Sequence, residues 1–254
     1  MARRLARLTL DNLDDLPTAC RSCVFWELDA VRRERAFSAG DGCGEKEAWV
    51  SAVLLEWGSC GRMAYVDGEP AGYVLYAPPT FLPGAEAFPT SPVSEDAVLL
   101  ATAMVLPEHA GSGLGRVLMQ AVVKDLVKRG GIRALEAFGD TRTSTSRADH
   151  ADRLDPTSTY GDCVLPADYL LSVGFKTHRP HRRYPRMRLE LKSAVSWRDE
   201  VEAALEKLLG AVRPTRQPAP EPSHRVVRDG GAPPTGPHRV QGAASPRPVR
   251  AAGG

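Results

Sequence analysis

The chain has 254 residues, of which 43% are hydrophobic, and its formal net charge is +2. This length fits one sizeable domain with extensions better than two full domains. The five cysteines are scattered, the start MARRLARLTLDN lacks an apolar core for export, and the longest apolar run, AVLLATAMVL, is too short to span a bilayer. Composition therefore predicts a reduced, soluble, cytoplasmic protein outside the membrane.

The first part of the chain predicts a strand and a long helix. LARLTL (5–10) alternates as a strand does, and DNLDDLPTAC favours a turn or short helix that ends near Pro17. CVFWEL (23–28) is compatible with a strand or with a buried loop. Residues 45–57 predict a helix, because their large apolar side chains recur on one face.

A hairpin, a loop and a buried strand are predicted next. RMAYVDGEPAGYVLYAP (62–78) places two β-rich runs around Asp67-Gly68, a tight-turn pair. The proline-rich loop 78–96 is long enough to suggest a function. Residues 97–106 are continuously apolar, which is typical of a strand buried on both faces.

A crossover unit follows that strand. Three alternating glycines open an amphipathic helix, which Gly130-Gly131 ends, and IRALEAF (132–138) predicts the next strand. A strand, a loop, a helix and a second strand in this order pair the two strands in parallel. After the polar loop 139–162 we expect a short helix, PADYLLSVGF, and two closing strands, FKTHRP and PRMRLEL.

The C-terminal end differs in composition from the rest. Residues 196–210 have the apolar stripe of an amphipathic helix, which packs on its own domain or forms a homodimer. After Val212 the chain has nine prolines, six glycines and no aromatic residue, which predicts a disordered tail. The tail is basic, with seven arginines and two acidic residues, so it is a solvated extension or a contact for nucleic acid.

In the stretch LPEHAGSGLGRVLMQ (106–120), alternating glycines leave the backbone without side chains where the predicted helix begins. N–H groups that no side chain covers at a helix N-terminus favour the binding of a phosphate group, because they lack partners within the helix and carry partial positive charge. The dinucleotide pattern Gly-x-Gly-x-x-Gly fails at Arg116, and no Lys-Ser or Lys-Thr follows as in a nucleoside-triphosphate loop. With these two patterns excluded, the pyrophosphate of coenzyme A is the remaining common phosphate ligand for such a loop.

MVLPEHAGSGLGRVLMQAVVKDL resembles the acyl-coenzyme A signature of the GNAT-family N-acetyltransferases. Gly113, Leu114 and Gly115 match the family's Gly-x-Gly, whereas Ala110 stands at its Arg/Gln position. The elements of residues 60–191 follow the family's order. The resemblance implies a mixed α/β fold: a mostly antiparallel sheet, a central parallel strand pair that splays at the acyl-coenzyme A site, and helices on both faces.

The resemblance also implies a domain organisation and a cofactor site. Residues 1–192 would form the acyltransferase domain, 193–212 a C-terminal helix and 213–254 the basic tail. The cosubstrate would be acetyl-coenzyme A, with its pantetheine arm along the backbone of a strand and its pyrophosphate on the glycine loop. The implied cofactor-binding residues are Met104, Val105, Gly111, Ser112, Gly113, Leu114, Gly115 and Arg116.

The implied reaction is direct attack of a primary amine on the thioester, which needs a base for the amine proton and an acid for the thiolate. The family's acid tyrosine falls here on Leu170, and Tyr169 is the neighbouring candidate. Glu136 is the first candidate for the base, and Glu108 and Tyr160 are weaker candidates. Glu27 lies in CVFWEL, a region that often shapes the acceptor pocket in this family, although core packing explains that segment equally.

Other patterns carry less chemistry. Cys20 and Cys23 form half of a zinc pattern without a second pair, so no metal is expected. The basic run 176–188 is a solvated strand surface or a contact for the 3′-phosphate or an acidic partner. The acceptor, a small molecule or a protein, stays open. The alternative to an enzyme is a protein that binds acyl-coenzyme A without turnover, whose tail contacts nucleic acid or another protein.

Overall fold

The computed structural model describes residues 2–142 and 163–192, all within the first of two compact units, Met1–Ala211. Its strands are β1 (Arg3–Arg7), β2 (Gly61–Val66), β3 (Glu69–Ala77), β4 (Ala97–Val105), β5 (Ala134–Asp140), β6 (Leu165–Pro166), β7 (Lys176–Arg179) and β8 (Arg186–Glu190). Its α-helices are α1 (Thr18–Ser22), α2 (Ala30–Ala39), α3 (Gly42–Glu56), α4 (Leu114–Arg129) and α5 (Ala167–Ser172).

The described strands form one sheet in the order β1-β2-β3-β4-β5-β8-β7, and β6 pairs with the end of β5. Most neighbours are antiparallel; β4 pairs with β5, and β5 with β6, in parallel. The predicted mixed sheet with a central parallel pair is therefore confirmed. The β4–β5 pair arises from the crossover through α4, because a strand that returns after a helix runs in the original direction.

The predicted hairpin joins β2 to β3. Its turn residues Asp67 and Gly68 have φ values of +52° and +96°, a left-handed pair that twists in the sense of the flanking strands. Val66 pairs with Glu69, so the loop has two residues. Local turn chemistry thus fixes the register of this edge of the sheet.

Each face of the sheet is covered by helices. α4 packs its apolar stripe on one face, and Leu118, Val122 and Leu126 are fully buried there. The opposite face, here called the aromatic face, is covered by α1, α3 and the 78–96 loop. Trp26, Phe88 and Phe138 stack there, with ring centroids 4.4 to 6.0 Å apart.

Among the N-terminal expectations, the bounds of the first strand need correction, and the structure decides between the two alternatives for CVFWEL. The first strand covers Arg3–Arg7 rather than 5–10, and a 3-10 turn, Leu10–Asp15, follows it. Asn12 closes the turn by accepting the Thr9 N–H, which takes the chain away from the sheet. Of the two alternatives for CVFWEL, the structure has a buried turn, and the indole N–H of Trp26 donates to the carbonyl of Cys163 at 2.9 Å.

Some expectations fall on residues outside the described ranges. These are most of the polar loop 139–162, including Tyr160, the amphipathic helix within 193–212, and the basic tail 213–254. They stay predictions. Among the described helices, none is both long and apolar enough to cross a membrane.

Candidate functional site

The central parallel strands β4 and β5 separate after three paired positions. Ala97 pairs with Ala134, and the register ends where Leu99 meets Glu136. Beyond this point β5 bonds to β6 and β8. Within the described residues, the β4 edge from 100 to 105 therefore has no strand partner on that side, which leaves backbone groups open to an extended ligand.

A β-bulge lies at the start of this open edge. Leu75 pairs with Thr102 and Tyr76 with Leu100, so Ala101 is an extra residue in β4. An extra residue reverses the alternation of side chains after it. Thr102 and Met104 consequently reach the aromatic face, where they line a cavity. Sequence analysis did not predict this bulge, because Ala97–Leu106 reads as an uninterrupted apolar run.

The glycine loop lies at the end of the open edge, where α4 begins. Gly111 and Gly113 have φ values of +75° and +78°, which favour glycine. The first N–H groups bonded within the helix are those of Arg116 and Val117, both to the carbonyl of Gly113. The N–H groups before them in the first turn have no intrahelical acceptor, so they present partial positive charge.

Tyr169 lies against the first turn of α4. A Cβ atom on Gly115 would come within 3.2 Å of the Tyr169 hydroxyl, so the missing side chain makes room for the phenol. Burial raises the pKa of Tyr169 to about 12, which keeps the hydroxyl protonated and able to donate. The adjacent Leu170, at the family's acid position, is fully buried in the core. The tyrosine hydroxyl is thus a donor beside the glycine loop.

The aromatic face contains a small cavity next to the bulge. Its volume is about 30 Å³, enough for about two water molecules. The lining residues are Cys20, Cys23, Trp26, Glu27, Lys46, Tyr73, Leu75, Thr102, Met104 and Cys163. The cavity therefore brings three thiols and two opposite charges to the side of the open strand.

Glu27 and Lys46 form a buried ion pair in the cavity wall. Their side chains are 1% and 3% exposed, and the ammonium of Lys46 donates to Glu27 Oε1. Burial lowers the pKa of Lys46, but the charges of Glu27 and Cys23 outweigh it and the pKa ends above its ordinary value. Sequence analysis missed Lys46, although the signal was present: it lies on the apolar face of α3, four residues before Val50.

Cys23 and Cys163 meet at the same wall from segments 140 residues apart, with their sulfur atoms at 3.3 Å. A hydrogen bond from Cys163 lowers the pKa of Cys23 to about 7, and the same contact raises that of Cys163. All five cysteines are free thiols. Within residues 2–142 and 163–192, no three His, Cys, Asp or Glu side chains are arranged to hold a metal ion.

Glu136 lies on β5 where the two parallel strands part, as expected, but neighbouring groups already bond its carboxylate. It is fully buried, accepts from Arg188 Nη1 at 3.0 Å and from the Ser94 N–H at 3.1 Å, and lies 3.4 Å from Arg186 Nε. Burial raises its pKa, but these hydrogen bonds and charges outweigh burial and lower it. Glu136 does not line the cavity, and this geometry gives it an ion-pairing role.

Two further sequence candidates are placed apart from the cavity. Glu108 is exposed in the turn Pro107–His109 that precedes the glycine loop. The basic run 176–188 divides: residues 176–183 are exposed, whereas Arg186 is buried and Arg188 is half-buried in ion pairs with Glu136. The expectation of a solvated surface therefore holds for its first part.

Comparison with known proteins agrees with this architecture. The model of the acetyltransferase (GNAT) family matches residues 27–151. The chain carries a domain of the GNAT acetyltransferase family, which confirms the resemblance seen in the glycine loop. Comparison with the curated proteins gives no match.

Several solved structures are similar to this chain at low sequence identity. The PaiA N-acetyltransferase of Thermoplasma acidophilum, solved with coenzyme A, is 12% identical with a TM-score of 0.46, over 75% of this chain and 99% of that one. A putative GNAT acetyltransferase of Desulfovibrio desulfuricans is 23% identical with a TM-score of 0.42, over the same shares. An N-acetyltransferase of Staphylococcus aureus is 12% identical with a TM-score of 0.44, again over 75% and 99%.

Proposed function

We propose that this protein transfers an acetyl group from acetyl-coenzyme A to a primary amine by direct attack of the amine on the thioester. The observation that carries the proposal is the open edge of β4, which starts at a bulge and ends at the glycine loop. That edge offers an extended ligand a strand to pair with, and the loop offers its phosphate end a set of N–H groups. The GNAT family domain supports the same function.

The cofactor would lie along this edge. The backbone of Met104 and Val105 would bond the pantetheine arm as an added strand, and the residues from Gly111 to Arg116 would hold the pyrophosphate. Tyr169 would add its hydroxyl, since it lies against Gly115. This donor helps to offset the missing Arg/Gln side chain at Ala110.

The acceptor amine would approach from the aromatic face, where Thr102 and Met104 line the cavity. An amine with a lysine-like pKa near 10.4 arrives protonated and has to lose a proton before it attacks. Glu27 is the carboxylate in the cavity wall, and a water in the cavity can connect it to the amine. We therefore place Glu27 ahead of Glu136 as the group that receives this proton.

Calorimetric titration with acetyl-coenzyme A tests the cofactor site first. Gly113→Glu places a carboxylate where the pyrophosphate would bind, so we expect affinity to fall at least about tenfold. Gly131→Glu is the matched control: it adds the same charge at another open glycine of similar φ, +74°, about 24 Å away at the far end of α4. Binding by the wild type and control but not by Gly113→Glu supports the site; equal binding by all three contradicts it.

An acceptor screen tests the reaction. Primary amines and peptides are incubated with acetyl-coenzyme A, and released coenzyme A is measured by chromatography, since thiol reagents would also react with the cysteines. Glu27→Gln/Lys46→Met, which removes both buried charges, should lose turnover and keep cofactor binding. Glu136→Gln should reduce stability more than turnover, because it loosens Arg186 and Arg188. The reverse result would return the base role to Glu136.

The second candidate function is binding of acyl-coenzyme A without turnover. Leu170 and Ala110 favour it, because the side chains that the family uses for proton donation and for the pyrophosphate are absent at these two positions. Retained cofactor binding with no coenzyme A release from any amine would support it. In that case the basic tail 213–254 becomes the segment to test for nucleic-acid binding, by its salt dependence and by deletion.

A further inference from the structure

Two thiols in the wall of the cavity are close enough to react with each other. Cys23 comes from the segment between α1 and α2, Cys163 from the segment before β6, and their sulfur atoms are 3.3 Å apart. The hydrogen bond from the Trp26 indole to the Cys163 carbonyl holds the two segments together. Approach to the 2.05 Å of a disulfide thus needs a movement of about 1.3 Å.

We propose that Cys23 and Cys163 are a redox-active dithiol, which closes to a disulfide under a peroxide and reopens with a thiol. The site is a modification site in the wall of the acceptor cavity. Its chemistry is independent of the proposed acetyl transfer; only its effect on turnover rests on that function.

The surroundings favour Cys23 as the attacking sulfur. The titratable groups that line the cavity beside it are Cys20, Glu27, Lys46, Tyr73 and Cys163. The hydrogen bond from Cys163 is the largest effect on Cys23, and the ammonium of Lys46 adds to it, although burial and Glu27 oppose them. A pKa near 7 makes about half of Cys23 a thiolate at neutral pH, and the thiolate is the reactive form.

The other cysteines lack the close sulfur contact that activates Cys23, although Cys20 lines the same cavity. Burial raises the pKa of Cys20, and it raises that of Cys60 to about 12. Cys43 is half-buried like Cys23 but does not line the cavity. The structure therefore separates one reactive pair from three thiols that are expected to stay reduced.

The reaction balances with hydrogen peroxide as the oxidant. The Cys23 thiolate attacks one peroxide oxygen, the O–O bond breaks, and Cys23 becomes a sulfenic acid with release of hydroxide. Cys163 then attacks the Cys23 sulfur, the S–O bond breaks, and water leaves as the disulfide forms. The two sulfurs lose two electrons in total, and the peroxide gains them.

The disulfide would change the cavity in two ways. It ties the segment that leads into α5 to the one between α1 and α2, so the wall can no longer open for an acceptor. It also removes the thiolate beside Lys46. Because the glycine loop precedes α4, which covers the opposite face of the sheet, acetyl-coenzyme A should still bind.

The deciding experiment maps thiols in the full chain. The protein is treated with hydrogen peroxide, alkylated with iodoacetamide, digested and analysed by mass spectrometry, with and without dithiothreitol. In the wild type we expect a linked Cys23–Cys163 peptide and a fall from five alkylated cysteines to three, reversed by dithiothreitol. Cys43→Ser should behave like the wild type, and Cys23→Ser and Cys163→Ser should form no link.

Two outcomes would overturn the dithiol. One is that all five thiols resist peroxide equally. The other is that Cys23 is oxidised to a sulfinic acid and no disulfide with Cys163 forms. Alkylation rates give a second readout: Cys23 should react with a midpoint near pH 7, and Cys163→Ser should move that midpoint upward. A midpoint that does not move shows that Cys163 does not activate Cys23.

The effect on turnover is read separately. If the disulfide forms and acceptor-dependent release of coenzyme A falls at least about tenfold, reversibly, the dithiol regulates the cavity. If the disulfide forms and turnover is unchanged, regulation is refuted. If the protein has no turnover at all, the proposed function fails, and the mapped disulfide still decides the dithiol.

Discussion

The buried ion pair between Glu27 and Lys46 predicts a large loss of stability when only one partner is removed. The two side chains are 1% and 3% exposed, so both charges are shielded from bulk solvent. Lys46→Met keeps the length and the apolar stem but leaves the carboxylate of Glu27 without its partner. Breaking such a pair from one side costs about 3–5 kcal/mol. At about 2–4 °C per kcal/mol for a domain of this size, the midpoint of thermal unfolding should fall by about 6–20 °C.

The double variant Glu27→Gln/Lys46→Met separates charge from packing. It removes both charges, and a glutamine can still accept the N–H of Trp26, which Glu27 accepts at 3.2 Å. Neutral replacements for a buried pair are often close to the wild type in stability, so we expect the double variant to recover all but about 1–2 kcal/mol. The double variant should then be about 1–4 kcal/mol more stable than Lys46→Met alone.

The assay is equilibrium unfolding in urea, followed by the fluorescence of Trp26 and Trp49, which lie in the same core cluster. Glu45→Gln is the control from the same helix, because the pair of Arg32 and Glu45 is on the surface and should contribute little. A Lys46→Met variant within about 1 kcal/mol of the wild type, or a double variant no more stable than the single one, would refute the reasoning.

Three further changes test other parts of the molecule. Burial raises the pKa of Asp125, but the hydrogen bond from Tyr76 and the charge of Arg62 outweigh burial and lower the pKa. The difference in stability between the wild type and Asp125→Asn should therefore be widest above about pH 4 and should narrow as the pH falls. Thermal unfolding at a series of pH values measures this difference. Gly72→Ala brings a Cβ atom within 2.6 Å of the Met104 carbonyl oxygen. This contact should lower the free energy of unfolding by about 1–3 kcal/mol and weaken cofactor binding. An unchanged midpoint of thermal unfolding and an unchanged affinity would contradict the close approach. Tyr169→Phe should raise the dissociation constant of acetyl-coenzyme A if the hydroxyl serves the glycine loop; loss of kcat at constant affinity would assign it to proton donation instead.

The local elements of this protein are determined by the sequence. Asp67-Gly68 sets a two-residue turn because both positions need positive φ, and that geometry is decided by residues next to each other. The glycine loop and α4 follow in the same way, since bare N–H groups and an apolar stripe are properties of one short segment. The parallel pairing of β4 and β5 also follows, because it is a consequence of chain order.

Tertiary structure decided the chemistry of the cavity and the surroundings of Glu136. The bulge at Ala101 appears only in the pairing of β4 with β3, since a single extra residue leaves no trace in a continuous apolar run. Glu136 is a plausible base in sequence, and only the return of β8 beside β5 brings it the two arginines that hold it. Cys23 and Cys163, 140 residues apart, meet because the sheet places their segments together. Ion pairs and thiol pairs depend on distances between remote segments, which local patterns do not contain.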